Sequence, residues 1–403
     1  MKTIYIGLSV VSLSLLSILM YRKNKIEKIN SQKNHKGINE ILNLFTSLHQ
    51  DKIQIKTISV YDWRKPYSHL LLGSLTPYLF ETLSINENIA PEGHHNRPGT
   101  IKEKKYICVH DTGDGTFSAH QWSNIVHDGN YSSGEKYNCS FQYVVGNDGI
   151  WHNIPDNEVA FHAGDGTEYD YEEIDSCLNS TGNYYNVSIS KDGYYEINGN
   201  KSCVKVPLND KGEIPVTSDI NDHGIRIVDK KGKYYIGRTW WSPIHQKIGN
   251  RGGNCNSIGI ESCINKGTDV FWTWMKLAKL VAYLMDVNNL TIEDVVSHHF
   301  FSGKNCPMTI RENGFWKYFL NTMVMTEYKL LQYVKDGYLI YFENNNKDII
   351  GDNGKVIKRP VNDTVVEYNI IVVKDDDIDF KTFKSVVPGE NNILENYDGG
   401  FFS

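Results

Sequence analysis

The sequence lacks the excess of positive charge that is typical of nucleic-acid-binding proteins. Its 403 residues contain 42 Lys and Arg against 48 Asp and Glu, which gives a net charge of −6. It also lacks internal repeats and low-complexity tracts. Hydrophobic residues make up 40% and charged residues 22% of the chain, which excludes a wholly disordered protein. We therefore expect about two to three folded domains and no nucleic-acid partner.

The sequence lacks the even number and regular spacing of cysteines that a full disulfide framework needs. The chain has seven cysteines, at positions 108, 139, 177, 203, 255, 263 and 306. An odd number cannot all pair within one chain. At least one thiol is therefore free or bound to something else.

Charge is absent from residues 3–21. Residues 4–21, if helical, would extend about 27 Å, which is enough to cross a hydrocarbon core. Because no A-x-A-like cleavage site is present, we predict an uncleaved membrane anchor over residues 1–21, with a cleaved signal peptide as the alternative. Residues 22–36 then hold six basic residues and one acidic residue. By the positive-inside rule, that flank would keep the rest of the chain in the cytoplasm.

Hydrophobic periodicity divides the remainder into three parts. Residues 22–97 indicate a linker and small N-terminal region, residues 98–325 a central domain, and residues 326–403 a separate β-rich module. Within the central domain the pattern predicts strands at 106–110 and 257–263, a hairpin over 140–154, and helices at 118–126, 271–285 and 315–324. Repeated hairpin signals over about 165–253 indicate an insertion.

Three segments carry residues suited to catalysis. His110 ends a predicted strand, Glu261 lies inside a buried strand, and His298, Lys304 and Cys306 occupy a predicted loop. A buried carboxylate needs a partner, because its isolated charge is costly away from water. Two imidazoles and one thiolate form a suitable set of ligands for a catalytic zinc ion, with the fourth position open to water.

At these positions the chain resembles the zinc-dependent N-acetylmuramoyl-L-alanine amidases of the type 2 amidase and peptidoglycan-recognition superfamily. The resemblance covers about residues 105–165 and 250–320. It rests on five elements in the family's order, namely the VH strand end, the SFQYVVGNDG hairpin, FHAG, NSIGIE, and H-x7-C-P with a lysine two residues before the cysteine. Each element is weak alone, and the five together are specific.

The resemblance implies an α/β fold with a central mixed β-sheet flanked by helices, here with a hairpin-rich insertion and a small C-terminal β module. It makes His110, His298 and Cys306 the ligands of a Zn²⁺ cofactor. His299 is the local rival, but the family spacing of eight residues to the cysteine selects His298.

The same resemblance assigns the remaining roles. Lys304 corresponds to the lysine that stabilises the oxyanion, and Glu261 to the carboxylate that serves as general base. Phe141 stands where other members have a tyrosine, so its ring cannot handle protons, and that task moves to Glu261. Residues expected to line the substrate groove are His162, Phe141, Asn256 and Trp240; His162 could alternatively support the metal site.

The expected function is hydrolysis of the amide bond between N-acetylmuramic acid and L-alanine in peptidoglycan. The alternative is a non-catalytic peptidoglycan-binding module of the same fold, although such modules commonly lack the metal cysteine that Cys306 supplies here. A lysozyme-type glycosidase would need two acidic residues and would leave the His/His/Cys set unexplained. The expected location is the cell wall, either membrane-anchored or secreted, with cytoplasmic storage until lysis if the protein is phage-encoded.

Overall fold

The computed structural model describes residues 2–3, 9–10, 32–50, 76–113, 115–164, 167–170, 173–181, 187–208, 211–217, 225–239, 246–249, 252–265, 268–302 and 304–391. The chain forms two units. One contains Met1–Ile85, Asn265–Val287 and Phe319–Ser403, and the other contains Asn86–Ile264 and Asn288–Tyr318. We call the second one the site unit.

Strands are numbered in chain order: β1 Lys2–Thr3, β2 Ser9–Val10, β3 Ser84–Glu87, β4 Tyr106–Asp111, β5 Tyr143–Gly146, β6 Gly149–His152, β7 Thr167–Asp170, β8 Ile174–Asn179, β9 Val187–Ile189, β10 Tyr194–Ile197, β11 Asn200–Lys205, β12 Ile225–Lys230, β13 Lys233–Thr239, β14 Gln246–Gly249, β15 Ser257–Ser262, β16 Val295–Ser297, β17 Leu339–Asn344, β18 Thr364–Lys374 and β19 Asp377–Val387.

Helices are numbered in the same way: α1 Gln32–Gln50, α2 Ala119–Asp128, α3 Gly253–Asn256, α4 Val270–Asn288, α5 His298–Ser302, α6 Met308–Glu312, α7 Trp316–Tyr318 and α8 Met325–Lys335. Thr76–Phe80 and Ile292–Asp294 are 3-10 helices, and Phe319–Val324 is a π-helix. The helix predicted over 315–324 is thus a short α-helix that continues in the wider π form.

A mixed sheet forms the centre of the site unit. Five of its strands follow the order β6-β5-β15-β4-β16. The pairs β15–β4, β15–β5 and β16–β4 are parallel, whereas β5 and β6 form an antiparallel hairpin. Strands β4 and β15 are almost entirely buried, as expected for parallel strands inside an α/β fold. The predicted fold class, α/β with a central mixed sheet, is confirmed.

Helix α2 covers part of this sheet and shows why its sequence is helical. Ser118 accepts a hydrogen bond from the backbone of Gln121, and the Gln121 side chain accepts one from the backbone of Ser118, which completes a capping box. The helix ends at Gly129, whose φ of 65° is left-handed and suits glycine. Trp122 and Val126 on its buried face join a hydrophobic cluster.

The predicted insertion has its own small core. Its described strands form antiparallel sheets in the orders β11-β10-β9, β12-β13-β8 and β14-β7. The disulfide Cys177–Cys203 links two of its strands, and the other five cysteines are free. Tyr234 is 1% exposed and belongs to the insertion's hydrophobic cluster. We therefore attribute to this tyrosine a packing role.

Both ends of the predicted insertion meet beside β15. The backbone amide of Gly253 donates to the carbonyl of Ala163 at 3.0 Å, and that of Asn254 donates to Gly164 at 3.3 Å. A Cβ at Gly253 would lie 2.4 Å from the Cβ of Ala163, so only glycine permits this approach. The two segments that carry the site are thus joined directly across the base of the insertion.

The other unit combines the β-rich C-terminal segment with helices. Strands β19, β18, β17 and β2 form its sheet in that order. Sequence pattern predicted β structure directly after residue 325, but Met325–Lys335 is helical and the first strand begins at Leu339. Glu327 lies in this helix and is 4% exposed. It forms an ion pair with Lys279 at 2.8 Å, and this pair allows an acidic residue on the buried face of the helix. The domain boundaries given above stay a prediction.

The predicted membrane anchor falls largely outside the described residues. Of residues 4–21, the structure describes only Ser9–Val10, a short strand that pairs with Tyr341–Phe342 of β17. Within the described ranges, no helix has both the length and the apolar character needed to span a bilayer. The anchor stays a prediction.

A partly buried ion pair holds together the loops of the site unit. The Arg97 guanidinium donates to both carboxylate oxygens of Glu158, at 2.8 and 2.6 Å, and to the carbonyl of Ala90 at 2.8 Å. The two side chains are 13% and 12% exposed. The bond from Arg97 holds the pKa of Glu158 below its ordinary value.

We expect Arg97→Met to lower the free energy of unfolding by about 1–3 kcal/mol at pH 7, because it leaves a carboxylate without its partner. Since the pKa of Glu158 is depressed, its contribution is present above its unfolded pKa and disappears as pH falls through the folded value. Urea unfolding at pH 7 and at pH 3 measures both effects. Lys233→Met, which breaks an exposed pair with Asp175, is the control and should have a much smaller effect. An equal loss in both variants would contradict the prediction.

Candidate active site

The sheet brings three candidate residues to the carboxyl ends of neighbouring parallel strands. His110 is the penultimate residue of β4, Glu261 is its direct partner in β15, and His298 immediately follows β16. Because side chains alternate along a strand, His110 and Glu261 point to the same face. In open α/β sheets this edge is the usual position for a binding site.

His110, His298 and Cys306 form a buried cluster. Their potential ligand atoms all lie within 4.8 Å of one another. The Sγ atom of Cys306 lies 3.7 Å from Nδ1 of His110, and the rings of His110 and His298 are 4.7 Å apart. The three residues are 1%, 8% and 5% exposed. Two ligands of a tetrahedral zinc ion stand about 3.3–3.6 Å apart, so the donor set and its spacing fit such an ion.

The loop that carries Cys306 folds back on its own start. The amide of Cys306 donates to the carbonyl of Lys304 at 2.8 Å, and the amide of His299 donates to the carbonyl of Cys306 at 3.2 Å. This turn places Cys306 beside His298. His299 is 8% exposed and does not join the ligand cluster found among the described residues.

Glu261 borders the cluster. Its Oε1 atom lies 3.8 Å from Nδ1 of His110, and its Oε2 atom is buried with no hydrogen-bond partner in the described part of the chain. Burial raises the pKa of Glu261 to about 8, the charge of Asp111 raises it as well, and Lys304 lowers it. A carboxyl group with such a pKa can exchange a proton near neutral pH.

The site controls the protonation of its imidazole and thiol. Burial lowers the pKa of His110 well below its ordinary value, and His298, His162 and Lys304 act in the same direction. His110 is therefore neutral, as a metal ligand must be. Burial, with the charges of Asp111 and Glu261, raises the pKa of the Cys306 thiol well above its ordinary value.

Asp111 contacts the segment that contains Cys306 and Thr309. Its Oδ2 atom accepts a hydrogen bond from the amide of Thr309 at 2.7 Å, and its carbonyl lies 4.0 Å from the Cys306 sulfur. The residue is 9% exposed. Sequence reasoning did not select Asp111, although its position directly after His110 is a signal that could have done so.

A second cluster lies on the opposite side of the His110 ring. Nε2 of His110 is 3.1 Å from Sγ of Cys108 and 2.9 Å from Nδ1 of His162. Burial lowers the pKa of His162 to about 3, with a contribution from the charge of Lys104. Cys108 was missed by sequence analysis, although a cysteine two residues before His110 must share its face of the strand.

The remaining predicted residues lie in different surroundings. Lys304 is exposed, and its charge acts on the pKa of Glu261 and of Cys306. Phe141 is 2% exposed inside the hydrophobic cluster of the site unit. The side-chain amide of Asn256 donates to the carbonyl of Gly252 at 3.0 Å. Trp240 lies outside the described residues. The functional roles given to these four residues stay predictions.

Comparison with known proteins shows that part of this chain is similar to amidases. Residues 225–309 match the Amidase_2 family, described as N-acetylmuramoyl-L-alanine amidase. The chain is 40% identical over 63 residues to N-acetylmuramoyl-L-alanine amidase XlyA of Bacillus subtilis (strain 168), which is 16% of this chain and 21% of XlyA. It is 38% identical over 78 residues to N-acetylmuramoyl-L-alanine amidase CwlH of the same strain, which is 19% of this chain and 30% of CwlH. The match thus spans less than one third of either relative.

Among solved structures, this chain is similar to the catalytic domain of XlyA. The TM-score is 0.35 and the sequence identity is 20%, and the match covers 60% of this chain and 99% of the XlyA domain. Another is Staphylococcus aureus hydrolase AmiA in complex with its ligand, with a TM-score of 0.34, 11% identity, and coverage of 62% and 86%. The family match includes Glu261, His298, Lys304 and Cys306. The chain therefore contains a segment, residues 225–309, that is similar to N-acetylmuramoyl-L-alanine amidases.

Proposed function

We propose that this chain is a zinc-dependent peptidoglycan amidase, which hydrolyses the bond between the lactyl group of N-acetylmuramic acid and L-alanine. The observation that carries the proposal is the convergence of His110, His298 and Cys306 beside Glu261 at one edge of the sheet. The names of XlyA and CwlH state the same reaction class for those two proteins.

His110, His298 and Cys306 would hold the metal ion. Zn²⁺ supplies Lewis-acid activation in such a site and lowers the pKa of a water ligand to about 7. Because the metal-free Cys306 thiol is protonated, binding should release a proton as the thiolate forms.

Glu261 would act as the general base. Its Oε2 atom, which has no hydrogen-bond partner among the described residues, can accept the proton of the attacking water. Its Oε1 atom lies 3.8 Å from Nδ1 of His110. Burial stabilises the protonated carboxyl that results from this transfer. The same proton can then pass to the departing amine of the stem peptide. Phe141 has no hydroxyl and lies in the core, so it cannot share this task.

Lys304 would stabilise the oxyanion. Lys304 is exposed on the loop that also carries Cys306. Its positive charge lowers the pKa of both Glu261 and Cys306. A positive charge held where negative charge develops on the substrate lowers the barrier for amide hydrolysis.

Substrate binding and location complete the proposal. We assign the walls of the groove to residues around the site, with Asn256 and Trp240 as candidates. An N-terminal anchor over residues 1–21 would confine hydrolysis to the wall nearest the membrane. A phage-like enzyme released at lysis is the other arrangement compatible with the charge that follows residue 21.

The test is digestion of purified peptidoglycan by the full chain, with chelator, without chelator, and after zinc is restored. We expect new L-alanine amino termini to appear only when metal is present. New reducing sugar ends would instead identify a glycosidase and overturn the proposal. Sedimentation with peptidoglycan without any cleavage would favour the non-catalytic binding module.

A further inference from the structure

His162 contacts the proposed metal ligand His110 at the ring nitrogen that does not face Cys306. Nδ1 of His162 lies 2.9 Å from Nε2 of His110, and the two rings are nearly perpendicular, at 87°. The other nitrogen of His110, Nδ1, faces Cys306. One imidazole therefore lies between the ligand cluster on one side and His162 on the other.

The spacing distinguishes a hydrogen bond from a shared metal ion. Two imidazole nitrogens on one tetrahedral zinc ion stand about 3.3 Å apart, given metal–nitrogen bonds of about 2.0–2.1 Å. The 2.9 Å between His110 and His162 is shorter and matches an N–H···N hydrogen bond. By contrast, the 3.7 Å between His110 and Cys306 fits two ligands of one ion.

The side chain of Asn254 holds the backbone at His162 in place. The amide oxygen of Asn254 accepts hydrogen bonds from the backbone amides of His162 and Ala163, each at 2.7 Å. Asn254 is itself 5% exposed. These two bonds fix the backbone that carries the imidazole.

Gly259 provides the surface on which the imidazole rests. A Cβ at this position would lie 2.7–2.8 Å from atoms of the His162 ring, which is closer than real contacts allow. Gly259 is the direct neighbour of Cys108 in the paired strand. The missing side chain thus makes the space in which His162 reaches His110.

We propose that His162 is a positioning residue, which accepts the Nε2 proton of His110 and so keeps the Nδ1 lone pair of His110 directed toward the metal. The inference rests on the proposed function for the identity of the metal site. It differs from the prediction that His162 lines the substrate groove. Outer partners of this kind typically change metal affinity by 10–100-fold when they are removed.

The experiment compares zinc affinity in His162→Leu and His162→Asn, measured by competition with a chromophoric chelator. Leucine fills similar space without an acceptor, whereas the asparagine oxygen can occupy the place of Nδ1. We expect His162→Leu to bind zinc about 10–100-fold more weakly and His162→Asn to remain close to the wild type. A purely structural role would affect both variants alike, and that result would overturn the proposal.

Further measurements separate the other roles. If His162 contacts substrate, both variants will raise KM and leave zinc affinity unchanged, which would contradict the positioning role. If His162 is itself a ligand, the wild type will bind a second zinc ion that both variants lose, and this also overturns it. Cys108→Ala tests the other neighbour of Nε2 and should weaken zinc binding less than His162→Leu.

Gly259→Ala provides an independent variant if His162→Leu does not fold. It retains His162 but displaces its ring, so we expect a similar loss of zinc affinity. Unchanged affinity in this variant would count against the proposal. The affinity series is independent of catalysis, so a wild type that binds zinc and cleaves nothing would reject the amidase function alone.

Discussion

Cys306→Ser should abolish zinc binding and peptidoglycan hydrolysis together. The thiolate is the only sulfur ligand in the His110, His298 and Cys306 cluster. A serine hydroxyl does not ionise near neutral pH and is a poor replacement for a thiolate on zinc. We expect the affinity for zinc to fall by more than about 100-fold, since loss of an outer partner alone costs 10–100-fold. Metal content after dialysis and release of L-alanine amino termini measure the two effects.

The matched control is Cys263→Ser. Cys263 is also fully buried in the site unit, but it belongs to a hydrophobic cluster and to no group of potential metal ligands among the described residues. This variant should lose stability and retain one zinc ion. If Cys306→Ser kept full hydrolysis, the metal assignment would be wrong.

Glu261→Gln should separate catalysis from metal binding. Glutamine preserves the shape of the side chain but cannot accept a proton from water, so kcat should fall by about 10²–10⁴-fold. Zinc affinity and KM should change little, because Glu261 lies beside the ligand cluster without belonging to it. Kinetics on soluble muropeptides and a zinc titration of the same sample give both values.

An exposed carboxylate provides the comparison for this variant. Glu135→Gln makes the same substitution at a surface position of the same unit and should leave kcat unchanged. A Glu261→Gln enzyme with wild-type kcat would exclude Glu261 as the base. Loss of zinc in this variant would instead make Glu261 part of the metal site.

Sequence reasoning selected the residues whose spacing along the chain is itself informative. Strand 106–110 and strand 257–263 were predicted from apolar runs, and the parallel pairing that places Glu261 opposite His110 follows once both strands share a sheet. His298 and Cys306 are separated by one short loop, so their proximity could also be anticipated. The structure brings all four together.

The residues that sequence reasoning missed depend on contacts between distant segments. Asn254 contacts His162 across about ninety residues, and nothing in either local sequence predicts the bond. From sequence alone, a glycine such as Gly259 is expected only to weaken a strand. In the structure, its lack of a side chain leaves room for the His162 ring. The helix Met325–Lys335 was also missed, and the pair that Glu327 forms with Lys279 of a separate helix is another contact between distant segments.

The predicted insertion is closed at its base. Backbone hydrogen bonds join Ala163 to Gly253 and Gly164 to Asn254, so the polypeptide leaves and re-enters at one point. The insertion also packs around a hydrophobic cluster of its own. Because the bonds at the base join backbone atoms, the closure does not depend on the side chains that lie between Gly164 and Gly253. The strand β12 of this segment also contacts the helix His298–Ser302, so a change in that strand would reach the residues beside the site.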